Sequence, residues 1–500
     1  MRRGWPAAPL PIPIPTARPG ASMLPIGTLD QLARYLTHGH WADYDEDWRS
    51  FDDGSAGTTV IGVDLSGLTG PVQRLARAAM EAWETVADID FHEVARGAAQ
   101  IVFDDAEPGG WAEATGLQGN LATLAKVNIG PDTLDEGTTL DSYAYFVALH
   151  ELGHALGLGH QGPYDGDAVY PRDAVFANDS TSLSVMSYFF RGFDNPTDPA
   201  TEAYEVTPML ADIVAIQSLY GAPRGGITAG DTLWGRGMAT ETWFGRLMGA
   251  VTGDQPDDRL LWGSDIAITF YDEGGHDRLD LGWAVKDQRI NLRPGTFSDV
   301  GDGRKNLAIA RGTVIEDVVA GAGDDRVTGN AAANRLLGGA GHDTLRGLGG
   351  DDRLDGGRGG DRLEGQVGRD QLLAGTGNDH LDGGEGADRL LGGAGNDSLL
   401  GGDGDDRLIG GVGTDVLRGG SGADVFVLDA APGTDRVMGF QDDRDRLQLD
   451  DALWGGGLTA RQVIAAARTV DDHLVFDWDR GGLALWGIGK AALLDDLVIV

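Results

Sequence analysis

The chain has 500 residues, 80 of them glycine, no cysteine, and a formal charge of −39 at neutral pH. That length exceeds one ordinary core, so two or three domains are expected, and the negative charge opposes binding to nucleic acid or an anionic membrane while favouring cations. Without cysteine there is neither a disulfide nor a cysteine-based zymogen latch, so rigidity outside the cell has to come from another source, such as bound metal.

Residues 1 to 25 begin Met1-Arg2-Arg3, but Pro6, Pro9, Pro11, Pro13 and Pro15 break the helical apolar segment that a signal peptide needs. They read as a disordered leader or a removable propeptide. No run of 18 apolar residues occurs, so no membrane insertion is expected.

Residues 26 to 222 read as one globular domain. Thr59 to Leu65 alternates as a strand does. Pro71 opens a helix whose Val72, Leu75, Ala76, Ala79, Met80 and Trp83 recur on one face. Strands are expected at Ile89 to Val94, Ile101 to Phe103 and Leu124 to Ile129. A second helix runs from Tyr143 to Leu156 and stops at Gly157, where a left-handed residue lets the chain turn back. For a third helix, Thr207 is the expected cap, Pro208 the first residue and Gly221 the end.

After a junction at 223 to 320, residues 321 to 428 repeat every nine residues in twelve units. Each unit predicts a tight turn and a short strand. The acidic position runs through Asp325, Asn334, Asp343, Asp352, Asp361, Asp370, Asp379, Asp388, Asp397, Asp406, Asp415 and Asp424, with an aliphatic or aromatic residue two places later. Glycines such as Gly323, Gly339, Gly341, Gly375, Gly377, Gly393, Gly395, Gly402 and Gly404 permit the turn and bring carbonyl oxygens together. Aspartate adds the hard anionic oxygen that calcium prefers, so several structural calcium ions are expected, shared between successive turns. The aliphatics stack inward as a thin core that no unit could bury alone. Two units are weaker: 330 to 338, with Ala332 and Asn334, and 366 to 374, which opens Gln366-Val367. Residues 429 to 500 leave the phase but keep acidic turns and strands, as a C-terminal β cap.

His150 and His154, four apart on a helix, face one direction and can reach one metal ion. Glu151 lies one residue round the helix, placed to act as general base without ligating, and Gly157 lets the chain bring His160 in as the third ligand. Three neutral imidazoles suit one catalytic zinc with an open position, and amide hydrolysis is the natural chemistry. The other histidines, His38, His40, His92, His276, His342, His380 and His473, read as structural.

The pattern from His150 to His160, followed by Ser184-Val185-Met186-Ser187-Tyr188, resembles the metzincin clan, and the tyrosine two places after the methionine resembles its serralysin family. The similarity continues through Ala211 to Ala222 and through Gln288 to Leu292. It implies an α+β catalytic domain, with a twisted mixed sheet and an active-site helix, followed by a parallel calcium β-roll. By resemblance, Met186 forms the turn beneath the metal, and Tyr188 is a movable zinc ligand that can stabilise an oxyanion. The family also places calcium at its domain junction, which implies one loop at Thr228, Gly230 and Thr232 and a partner at Asp272, Gly274, Gly275, Asp277 and Glu316. For the stretch Asp272 to Asp277 an ordinary β-turn is the competing reading. One departure is Gln161, where the family often has proline. The terminus Asp495-Asp496-Leu497-Val498-Ile499-Val500 is similar to the family's uncleaved signal for a one-step, type I secretion exporter.

The expectation is therefore a secreted, monomeric, serralysin-like zinc endopeptidase acting on proteins or peptides. The alternative is a calcium-dependent adhesin with an inactive protease-like domain; a roll that binds sugars has no repeat feature selecting a ligand.

Overall fold

The computed structural model describes residues 24–226, 228–239, 242–253, 260–261, 265–429, 433–478 and 481–500. The expected leader therefore lies, up to residue 23, outside the described residues. Two compact units result, one made of the chain up to Gly230 with Met238–Gly275 and Gly303–Thr313, the other of Asp231–Gly237, His276–Asp302 and Val314–Val500.

The first unit is built on a five-stranded mixed sheet in the order β2-β1-β3-β5-β4, where β1 is Thr59–Gly67, β2 Ile89–Glu93, β3 Ile101–Asp104, β4 Gly110–Gln118 and β5 Leu121–Ile129. All neighbours are parallel except the edge strand β4, which runs antiparallel to β5. Helix α1 (Gly70–Glu84) has Pro71 in its first turn, and the six apolar residues of its predicted face are buried. Helix α2 (Tyr143–Ala155) starts at Ser142, whose hydroxyl accepts from the Tyr145 amide, and the chain reverses at Gly157 with φ +106°. Trp83 Nε1 donates to the Leu149 carbonyl at 3.1 Å and ties the two helices together.

Helix α3 (Leu210–Tyr220) begins two residues later than its sequence suggests. Its cap is not Thr207, whose hydroxyl accepts from the Thr269 amide at 2.8 Å. Asp212 does that work instead, its Oδ2 accepting from the Met209 amide at 2.8 Å, a carboxylate in the first turn where the helix dipole favours it.

In the second unit, successive nonads feed alternate strands to two eleven-stranded sheets, so one coil takes eighteen residues; the nonad strands pair in parallel, and one sheet ends in the antiparallel strands Gly481–Trp486, His473–Trp478 and Arg468–Val470. Leu336, Leu354, Leu372, Leu390, Leu408 and Phe426 stack in one ladder and Leu345, Leu363, Leu381, Leu399 and Leu417 in the other, all buried. Pairing continues past the nine-residue phase, with Leu417 against Val437, Phe426 against Leu447, and Leu447 against Leu497. Stacking needs an inward aliphatic and a parallel backbone, not the glycine signature. Among the described residues no helix is long and apolar enough to cross a membrane.

Candidate metal centre

Helix α2 carries His150 and His154 on one face, and the turn at Gly157 returns the chain so that His160 joins them. One ligand nitrogen from each lies within 4.8 Å of the others. Every Nδ1 hydrogen is committed to a backbone carbonyl: His150 to Val185 at 2.7 Å, His154 to Leu158 at 2.8 Å and His160 to Tyr164 at 2.7 Å. This fixes the tautomers and leaves three Nε2 lone pairs converging, those of His154 and His160 only 2.9 Å apart. Burial holds all three imidazoles neutral, pushing His150 down to about 4 and the others well below their usual value. Converging neutral donors with no hydrogen to share fit a borderline cation such as zinc.

Glu151 follows His150 on the same helix and lines the same cleft, about 420 Å³ in volume, with His154, His160 and Tyr188. Burial pushes its carboxyl up to about 8. Gly110, at the start of the edge strand β4, packs directly on it: a Cβ there would overlap Val147 and lie 2.9 Å from Glu151 Oε1. Met186 is fully buried beneath α2, where a Cβ on Gly153 would come within 2.7 Å of its sulfur. The Tyr188 ring lies 4.3 Å from His160, centre to centre, and 5.1 Å from Tyr164, and burial raises its phenol above the usual range.

A further layer holds these groups. Asp179, fully buried, accepts from Tyr164 Oη at 3.1 Å and from Ser187 Oγ at 2.6 Å, so one carboxylate joins the loop whose carbonyl orients His160 to the residue between Met186 and Tyr188. Asp212 accepts from Ser184 Oγ and the Val185 amide, and thereby anchors the carbonyl that orients His150. His40, read as structural from sequence, packs edge-on against His160 with its Nδ1 3.2 Å from the Gly162 carbonyl. Gln161 is fully buried and, among the described residues, neither end of its amide has a hydrogen-bond partner. Neither Asp179 nor Gly110 could be found from spacing, because each meets the site through the fold.

In the roll, the repeat aspartates from Asp343 onward accept through Oδ1 from the backbone amide of the repeat residue eighteen positions earlier, as Asp343 does from Asp325 at 2.8 Å, Asp352 from Asn334 at 2.7 Å and Asp361 from Asp343 at 2.9 Å, while Asp325 accepts from the Gln288 amide. The second oxygen, Oδ2, is buried without a hydrogen bond among the described residues in Asp325, Asp343, Asp352, Asp361, Asp370, Asp379, Asp388, Asp397 and Asp406. Gly339, Gly341, Gly375, Gly377, Gly393, Gly395, Gly402 and Gly404 all have positive φ, and a Cβ on each would strike a backbone carbonyl. Buried anionic oxygens beside crowded carbonyls fit calcium. Gly323 is equally crowded, against Lys286. In the unit expected to be weak, Asn334 donates to the Ile315 and Glu316 carbonyls and so ties off its own position.

The expected junction residues divide between the units, with Thr228, Gly230, Asp272, Gly274 and Gly275 in the first and Thr232, Asp277 and Glu316 in the second. Within the first, Asp272 Oδ1 accepts from the Gly274 amide at 2.9 Å, and Thr228 Oγ1 is buried without a hydrogen bond among the described residues. Within the second, Asp277 accepts from the Thr232 amide and donates its own amide to Glu316, both at 2.7 Å.

Comparison with known proteins agrees with this geometry. Residues 69–171 match the matrixin peptidase family and residues 261–480 the C-terminal domain of M10 serralysin peptidases. Serralysin of Photorhabdus laumondii is 35% identical over 276 residues, 52% of this chain and 53% of that one. Metallopeptidase AprA of Pseudomonas marginalis is 34% identical, covering 52% and 54%, and serralysin B of Dickeya chrysanthemi 33% identical, covering 52% and 55%. The chain thus spans about half the length of the curated relatives it matches. Fold and site have the architecture of the metzincin clan. Within that clan, the two matched segments are those of M10 peptidases, and the chain is similar to the serralysin-type family.

Proposed function

We propose that the chain is a secreted endopeptidase, dependent on zinc and stabilised by calcium, that hydrolyses peptide bonds within proteins. One observation carries the reading: three imidazoles with committed Nδ1 hydrogens converge beside a buried glutamate in an open cleft. His150, His154 and His160 would hold the zinc ion, with Tyr188 as a further, movable ligand. Bound there, zinc supplies Lewis acidity, polarising the scissile carbonyl and acidifying water.

The chain's own groups do the rest. Glu151 takes the proton from the attacking water at a carboxylate oxygen and returns it to the departing nitrogen. Tyr188 remains protonated, and its Oη donates to the developing oxyanion once the ring has turned towards substrate. The edge strand β4 has a backbone edge that an extended peptide can pair with. Asp179 and Asp212 keep His160, Tyr188 and His150 in register.

Calcium belongs to the roll on this reading. The unpartnered Oδ2 atoms of the repeat aspartates and the loops at Asp272 and Asp277 support it. Low calcium inside the cell would leave the acidic roll unfolded and exportable through a type I exporter, with the segment Asp495 to Val500 as the signal; millimolar calcium outside would fold it. The chain would act as a monomer. The adhesin alternative finds no support, because the imidazole triad and its glutamate are both complete.

Glu151→Gln tests the reading. The variant is expected to bind zinc as the parent does and to lose hydrolysis of unfolded casein by about 10²- to 10⁴-fold; undiminished hydrolysis would remove Glu151 from the mechanism.

A further inference from the structure

We infer that the cleft selects cationic peptide segments, with Asp165 and Glu113 as the residues that make the selection. The inference rests on the peptidase reading and names its substrate class. Four carboxylates line the cleft, those of Glu46, Glu113, Glu151 and Asp165, against one guanidinium, that of Arg49.

Arg49 is not available to an acidic substrate. Its Nη2 pairs with Glu46, its Cζ sits 3.9 Å from the centre of the Trp41 ring, and only 10% of its side chain is exposed. His40, also in the lining, packs edge-on against His160 with its Nδ1 turned to the Gly162 carbonyl. Asp165 and Glu113, by contrast, are exposed and make no hydrogen bond or ion pair among the described residues. Glu113 stands on the edge strand β4, three residues beyond the Gly110 contact with Glu151. Asp165 follows Tyr164, whose carbonyl orients His160, and its charge is felt at Glu151, Tyr188 and Tyr44.

Partnered by a lysine or arginine of a bound peptide, these two carboxylates gain charge-assisted hydrogen bonds; opposite a glutamate they repel. Trp41, Tyr44 and Trp111 add aromatic faces to the same lining, on which alkyl-ammonium and guanidinium groups stack favourably. Long-range steering acts the same way, since the whole chain carries −39 before any cation binds.

The test uses the zinc- and calcium-loaded full chain and two quenched fluorescent peptides with the same central residues, one flanked by lysines and one by glutamates. In dilute salt, kcat/KM is expected to favour the lysine-flanked peptide by about tenfold or more, and the gap should narrow as ionic strength rises. Asp165→Asn and Glu113→Gln should each reduce the ratio, and the double variant should bring it close to one. Equal rates, a preference for the glutamate peptide, or a lysine preference that the double variant leaves intact would overturn the selection while leaving the peptidase reading standing. Failure to cut either peptide or unfolded casein would overturn that reading, and the selection with it.

Discussion

The Nε2 atoms of His154 and His160 face each other at 2.9 Å, while the Nδ1 hydrogens of both rings are bound to the Leu158 and Tyr164 carbonyls. Two neutral lone pairs at that distance repel, and a shared cation turns the repulsion into two bonds. Zinc should therefore stabilise the folded chain by roughly 3 kcal/mol at a free concentration about a hundred times its Kd. Differential scanning calorimetry with and without chelator reads this directly; a Tm that does not respond to zinc, in saturating calcium, would mean that the imidazoles do not converge on a metal.

Gly110 presses on Glu151 with no side chain of its own. Gly110→Ala places a methyl group where Val147 and Glu151 Oε1 already stand, which pushes the carboxylate aside without touching an imidazole. Zinc content should be retained while kcat falls by about 10- to 100-fold, since displacement of a reacting group by about an ångström costs that much. Parental kcat in the alanine variant would dissociate Glu151 from the chemistry.

Asp179 binds Tyr164 and Ser187 together in a site without solvent. Asp179→Ala strands two buried hydroxyls, for which a loss of about 2–4 kcal/mol in urea unfolding is expected. Zinc affinity should also drop, by about tenfold, because the loop that orients His160 loses its tether. Loss of stability with unaltered zinc affinity would confine Asp179 to a purely architectural role.

Protons and calcium compete for the roll. Burial, with help from neighbouring aspartates, pushes Asp343, Asp352, Asp397 and Asp406 up to about 7 and Asp325, Asp361, Asp370 and Asp424 up to about 6 in the metal-free fold. The folded values exceed the unfolded value near 3.9, so the folded roll binds more protons than the unfolded chain. Its calcium-free stability is then greatest at and below about pH 4 and is lost as the pH rises through 6 to 7. In chelator, circular dichroism of the full chain should show less strand at pH 8 than at pH 5, and millimolar calcium should restore it at pH 8. Identical spectra in all three conditions would refute calcium as the folding partner.

Local rules made much of this visible in the sequence. The four-residue spacing of His150 and His154 is helix geometry, and the reversal at Gly157 needs a positive φ that glycine supplies, so neither depends on distant parts of the chain. The nine-residue phase likewise announces its turn, strand and buried leucine. Strand β4 is not legible in the sequence, because an exposed edge carries no alternating apolar face, and neither is the role of Gly110. The start of α3 differs from its sequence signal because Thr207 meets Thr269, sixty-two residues away, leaving the cap to Asp212. His40 and Asp179 reach the site only through tertiary packing. Asp435 and Asp445 accept from the Asp415 and Asp424 amides as the repeat aspartates do, but at separations of 20 and 21 residues, which hides them from a nine-residue search.

The most direct test strips the full chain of zinc, holds calcium at millimolar concentration, and titrates zinc back while peptides released from an unfolded protein are followed by mass spectrometry. Hydrolysis should be absent from the stripped chain, rise in proportion to zinc and level off at one ion per chain, with Glu151→Gln silent throughout. A fully zinc-loaded parent that releases no peptides, or one whose hydrolysis ignores zinc, would contradict the account.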